Sequence, residues 1–171
     1  CDQARAAGLE CLLGKGSLVD LRQMNKPVVL TLLSEKGDRY YVLLTALRGD
    51  LATFRIGDEK RTVPVREIAG RWGGEYLLLW RPPVDYRDIS KLGVKGVMVN
   101  WLANRLAVAS GKPVPVAGEV VYDRRMIDQV KQFQLTHGIV PDGIVGPRTI
   151  IGLTGVVPDG DPVLRNPGEK S

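Results

Sequence analysis

Val130-Lys131-Gln132-Phe133-Gln134-Leu135-Thr136-His137-Gly138-Ile139-Val140-Pro141-Asp142-Gly143-Ile144-Val145-Gly146-Pro147-Arg148-Thr149, closing on Leu153, is the stretch on which the reading of this chain turns. It spans the end of one helix, a turn and the start of another. Asp123 can cap the first helix, and Met126, Val130 and Phe133 at i, i+4 and i+7 give it an apolar face. Gly138 falls at the C′ position that ends it. Asp142-Gly143 predicts a tight turn in which glycine takes a positive φ. Gly146 lets the backbone reverse into a short third helix with Pro147 at N1, which carries Ile150 and Leu153 inward. The first N–H groups of that helix are expected to stay open to a carbonyl or an anion. Upstream, Val99, Leu102 and Leu106 at i, i+3 and i+7 supply the remaining helix, and Gly111 to Gly118, with two prolines, reads as a loop.

Phe133 is expected in the core. Gln134, Asp142, Arg148 and Thr149 are polar and expected at the surface, so each is a candidate contact for a ligand, with Gly143 and Gly146 shaping the turn beside them. His137 is the one histidine of the chain. It sits at a helix C-terminus, where a cation suits the dipole, and with no second histidine to join it no metal site is expected. The string FQ, Gly, DG, G, T and L at these offsets closely resembles the common peptidoglycan-binding domain, a three-helix module. That resemblance implies wall binding, with peptidoglycan as partner. Asn100-Trp101-Leu102 departs from the Leu-Gln of many such modules, which would alter the groove.

The first half has a different period. After a helical Asp2–Ala7 closed by Gly8, Leu9–Leu13 reads as a short strand. Ser17 caps a helix with Asp20 three residues on. Val28 to Leu33, behind Pro27, is a near-continuous apolar run, so a buried strand is expected. Tyr40–Leu47 and Leu51–Ile56 follow as strands around Arg48-Gly49-Asp50. Thr62–Val65 holds Pro64 and is expected at an edge or as a connection. A helical turn, Arg66–Trp72, precedes Gly73-Gly74 and a last strand, Glu75–Trp80. Arg81-Pro82-Pro83 stiffens the chain and makes the clearest boundary. The organisation is therefore α+β: an antiparallel sheet with flanking helices over 1–83, a three-helix domain over 84–156, and a flexible tail over 157–171.

The order helix, capped helix, Pro-led strand, strands, Trp-Gly-Gly and strand resembles the papain-like cysteine peptidases that cleave double-glycine leaders. In those a Cys on an N-terminal helix attacks, a His opening a core strand is the base, and an Asp orients it. The resemblance puts Tyr40 or Tyr41 in the place of the His and Asp58 in that of the acid, while the nucleophile's helix is absent, so the domain is read as N-terminally truncated. With no histidine before residue 137 there is no local Cys–His pair, and a tyrosine of pKa near 10 is a poor base. No peptidase activity is expected. The alternative is a wall-targeted hydrolase or peptidase whose catalytic residues lie outside the chain.

Gly14-Lys15-Gly16-Ser17 through Pro27, and Trp72-Gly73-Gly74 to Pro83, make the whole chain similar to the periplasmic region of the general secretion pathway protein A family. That implies a periplasmic piece of an inner-membrane-anchored protein in a type II secretion pathway, the B protein of the same pathway as partner, self-association, and help in assembling the secretin across the wall. An ATPase domain would lie outside this chain.

Cys1 and Cys11 lie ten apart with no CxxC, which argues against zinc and allows a disulfide in an oxidising compartment. Neither a cofactor nor a metal is expected. The formal net charge is +5, but Lys and Arg are scattered among acids without interleaved aromatics, which argues against nucleic acid. No apolar run approaches the roughly 20 residues that cross a bilayer, so no membrane contact by this stretch is expected.

Overall fold

The computed structural model describes residues 1–114, 120–156 and 162–164. These form two compact units, the first from Cys1–Trp80 with residues 162–164, the second from Arg81 onward.

In the first unit the elements are α1 (Asp2–Ala6), β1 (Glu10–Lys15), α2 (Leu18–Met24), β2 (Val28–Leu33), β3 (Arg39–Arg48), β4 (Leu51–Ile56), β5 (Glu59–Pro64), α3 (Arg66–Ala69) and β6 (Trp72–Trp80). The strands make one six-stranded sheet in the order β1-β6-β2-β3-β4-β5, every pair antiparallel. The start of α2 is closed by a capping box: Ser17 Oγ accepts from Asp20 N at 3.3 Å and Ser17 N donates to Asp20 Oδ2 at 2.6 Å. Its end is turned by Asn25 at φ 51°, a left-handed residue of the kind asparagine tolerates. Pro64 closes β5, an edge strand as its proline predicts.

β6 begins at Trp72, three residues before the expected Glu75. Pairing with β2 runs Val28↔Leu78, Val29↔Leu77, Leu30↔Tyr76, then shifts to Leu32↔Trp72. Gly74 makes the shift possible. It sits at φ 90°, and a Cβ there would lie 2.7 Å from the Gly16 carbonyl oxygen.

The register sorts the strands into two faces. The row Leu12–Leu78–Val28–Leu44–Phe54–Arg61 crosses all six strands on the inner face, and Leu78 and Leu44 are fully buried. The next row, Leu13–Leu77–Val29–Leu43–Arg55–Lys60, lies on the other face, where Leu13 is 74% exposed. This corrects the expectation of a wholly buried β2: Val28, Leu30 and Leu32 are buried, Val29 and Thr31 half-buried, and Leu33 exposed. An apolar run marks a central strand, but among the described residues one of its faces is buried more fully than the other.

Residues 162–164 also differ from expectation. Leu164 is 2% exposed, its N–H donates to the Asn25 carbonyl at 3.2 Å, and its carbonyl accepts from Leu47 N at 3.3 Å. An aliphatic side chain with both backbone groups bonded is part of the first unit's core, so the tail reading fails at these residues; its other residues lie outside those described.

The second unit contains α4 (Val97–Ala109), α5 (Arg124–Thr136) and α6 (Pro147–Val156), with short bridges Ile89↔Val145 and Lys95↔Val121. Val99, Leu102, Leu106, Val130, Phe133, Ile150 and Leu153 form its core, as their spacing predicts. Asp123 caps α5, accepting from Met126 N at 2.8 Å, and Gly138 leaves it at φ 65°. Gly152 lies inside α6 because a Cβ there would come 3.3 Å from the Phe133 ring. Part of the loop expected at 111–118 lies outside the described residues. None of the helices among the described residues is long and apolar enough to cross a membrane.

Candidate functional site

The turn between α5 and α6 is organised by one side chain. Gln134 is 1% exposed, against the expectation of a surface residue. Its Nε2 lies 2.9 Å from Asp142 Oδ1, 2.9 Å from the Ile144 carbonyl and 3.1 Å from Thr149 Oγ1. Its Oε1 accepts from Gly143 N at 2.9 Å. Asp142 Oδ1 also accepts from Ile144 N at 2.8 Å, and Thr149 Oγ1 donates to the Ile144 carbonyl at 3.2 Å. The amide thus supplies a donor and an acceptor to a loop whose backbone is otherwise tied across by the Ile89↔Val145 bridge. A buried polar group is tolerated where its partners are supplied, and here the partners are the motif itself.

Thr149 is buried too, where a surface residue was expected. It is 2% exposed, and both functions of its hydroxyl are engaged inside the unit. Gly143 is held at φ 76°, where a Cβ would lie 3.0 Å from Ile127 Cγ2. Gly146 is a different case: a Cβ there would meet only Asp88 Oδ1, at 3.9 Å, and its φ is not in the left-handed region. Its contribution is a carbonyl that accepts from Ile150 N at 3.1 Å, opening α6. The Asp88 carboxylate beside it, bonded at 2.5 Å to the Tyr86 hydroxyl, places negative charge near the helix end that was expected to stay open to a carbonyl or an anion. Asp142 and Arg148 remain exposed.

Tyr122 completes the cluster from below and was missed. It is fully buried, and its hydroxyl donates to the Gly143 carbonyl. Burial, with a further contribution from the Asp142 charge, pushes its phenol up to about 12. The signal was its position: it precedes the N-cap Asp123, where a large apolar residue commonly fixes the entry of a helix. His137 caps α5 as expected, its ring stacked on Phe133 at 4.0 Å and Nδ1 2.9 Å from the Phe133 carbonyl.

In the first unit the three peptidase positions do not meet. Successive residues of a strand face opposite ways, so Tyr40 is half-buried on the inner face while Tyr41 is 67% exposed on the outer. Asp58 lies in the β4–β5 turn with its side chain in solvent, 3.7 Å from Arg55. Tyr40 instead lines a cavity of about 400 Å³ between the sheet and α3, floored by Val42, Phe54 and Ile68. Arg61, Glu67 and Arg71 stand at its mouth, and none of these was singled out from the sequence. A disulfide joins Cys1 to Cys11, with Cα atoms 5.9 Å apart, and ties α1 to β1. Among the described residues no group of three or more His, Cys, Asp or Glu is placed to hold a metal.

Comparison with known proteins agrees with this division. Residues 1–82 match the family described as "GspA, peptidase C39-like domain", and residues 95–151 the family described as "Putative peptidoglycan binding domain". General secretion pathway protein A of Aeromonas hydrophila is 32% identical over 171 residues, all of this chain and 31% of that protein. The chain therefore spans about a third of that relative's length. The crystal structure of a periplasmic domain of the EpsAB fusion protein of the Vibrio vulnificus type II secretion system is 26% identical, with a TM-score of 0.61 over 91% of this chain and 68% of that one. The chain joins a GspA peptidase C39-like domain to a peptidoglycan-binding domain and is a homologue of general secretion pathway protein A.

Proposed function

We propose that this chain is a non-catalytic, periplasmic peptidoglycan-binding module of a type II secretion protein. It would hold an inner-membrane-anchored protein to the wall, self-associate or recruit the pathway's B protein, and so help the secretin assemble. The family match over residues 95–151 supports wall binding, and the fusion of A and B in the Vibrio vulnificus relative favours the B protein as partner. One observation carries the non-catalytic part. The two cysteines are bonded to each other, and the one histidine turns its Nδ1 onto the Phe133 carbonyl in the second unit, so the chain's own residues offer no thiolate–imidazole pair.

The exposed wall-contact candidates are Asp142 and Arg148, on the solvent side of the Gln134 cluster, while Gln134, Gly143, Gly146 and Thr149 act by shaping the turn. Co-sedimentation with purified peptidoglycan tests the reading. The parent is expected in the pellet, with a folded Arg148→Glu variant retained less and no soluble fragments released from the wall. A parent that stays in the supernatant would refute wall binding, and released muropeptides would refute the non-catalytic assignment.

A further inference from the structure

The α3 cavity and the free edge of β5 lie side by side. β5 is the last strand of the sheet and pairs only with β4, so its other edge offers main-chain donors and acceptors with no strand partner among the described residues. Arg61 and Val63 of the same strand line the cavity, with Val42, Phe54 and Ile68 as its apolar floor. At the mouth Arg71 is held by Glu35 at 3.0 Å, whereas Arg61 and the neighbouring Lys60 are in no ion pair among the described residues. We propose that this edge accepts an extended peptide of a partner protein as a seventh strand, with an aliphatic side chain in the cavity and acidic side chains against Arg61 and Lys60.

Strand addition of this kind draws affinity from main-chain hydrogen bonds and specificity from pockets that take alternate side chains. The charges set the register. In an antiparallel pairing the residue opposite Val63 turns toward the cavity and should be aliphatic. Those opposite Arg61 and Lys60 point to opposite faces, and each meets a cation. The peptide therefore reads Ile-Thr-Glu-Glu or its like. Glu67 on the α3 side of the mouth opposes a carboxylate there, which keeps the acids at the Arg61 end. Charges and Pro64 on this edge also guard it against indiscriminate pairing, leaving it open to a complementary strand.

The inference deepens the partner-recruiting half of the proposed function and rests on it only in supposing a protein partner. Its test is fluorescence anisotropy on the whole chain with a labelled Ser-Ile-Thr-Glu-Glu-Ser peptide, blocked at both ends. Saturable binding is expected that weakens in high salt, falls roughly tenfold or more in Arg61→Glu, and is lost when alternate peptide nitrogens are methylated on the pairing edge. Arg61 is exposed, so its variant is expected to keep the parent's circular dichroism and its wall co-sedimentation. No binding at millimolar peptide would overturn the proposal, as would binding indifferent to Arg61→Glu or to methylation, or dimerisation through β5 that excludes the peptide. If Arg61→Glu loses the peptide and keeps the wall, the two activities separate by unit. If the parent fails on the wall and still takes the peptide, only the wall reading falls.

Discussion

The two units treat their motif residues in opposite ways. In the second, Gln134, Asp142, Gly143 and Thr149 lie up to fifteen positions apart in sequence and converge on one amide. In the first, Tyr40, Tyr41 and Asp58 span a similar length of chain and diverge, one inward, one outward and one into a solvent-exposed turn. A recurring polar string in a small helical module can thus persist because it fastens a loop, before any ligand is considered. The peptidase-like positions exert no such pull, and strand alternation turns Tyr40 and Tyr41 to opposite faces.

The sharpest way to break this contrast is Gln134→Leu. It fills a similar volume and leaves Gly143 N–H and the Thr149 hydroxyl short of a buried partner, each worth about 1–3 kcal/mol. A loss of about 3–5 kcal/mol from the second unit is expected, read by urea melts, with hydrogen exchange resolving that the first unit is spared. A loss below about 1 kcal/mol would show that the cluster is not a fastening.

Leu164→Ala probes the first unit's unexpected closure. Truncating a fully buried leucine costs about 2–4 kcal/mol, here in the protection of β3 and the end of α2, the elements its backbone joins. Unchanged protection there would mean that residues 162–164 lie on the unit without holding it.

Tyr122→Phe sharpens the comparison through pH. The phenol is pushed up to about 12 in the folded chain against an ordinary value near 10. Below pH 10 both states hold the proton, and the contribution is intact. Above it the unfolded chain deprotonates first, so the stability is lost as pH rises from about 10 to about 12, by roughly 3 kcal/mol at most. The parent-minus-variant difference in unfolding free energy should therefore be flat to pH 10 and fall beyond it. A difference flat to pH 12 would remove Tyr122 from the cluster's electrostatics.

The smallest effects belong to the old peptidase positions. Tyr41→Ser and Asp58→Asn alter exposed side chains and should each change the first unit's stability by no more than about 0.5 kcal/mol. A loss several times larger in the urea midpoint would mean that the first unit, like the second, still builds on its inherited residues.

Legibility followed interaction range. The helices of the second unit could be read because their periods, the Asp123 cap and the Gly138 exit are local, and β5 could be kept out of the sheet's centre because proline cannot donate to a ladder. Tyr122 carried a signal in its place before the cap. Burial of Gln134 and Thr149 carried none, because a polar side chain gives the same letter whether it meets water or a loop brought to it by the fold. The α3 cavity was equally silent, since Tyr40, Arg61 and Arg71 reach it from β3, β5 and the connection between α3 and β6.

By itself the chain of residues determined the α+β and three-helix character and the likeness to general secretion pathway protein A. These rest on spacing, caps and turn chemistry that act within a few residues. Only the tertiary structure decided which polar residues are fasteners and which face solvent, that Leu13 and Tyr41 on the sheet's outer face are exposed, and that Leu164 returns to the first unit. Burial is a property of pairs of elements distant in sequence, so no local pattern contains it.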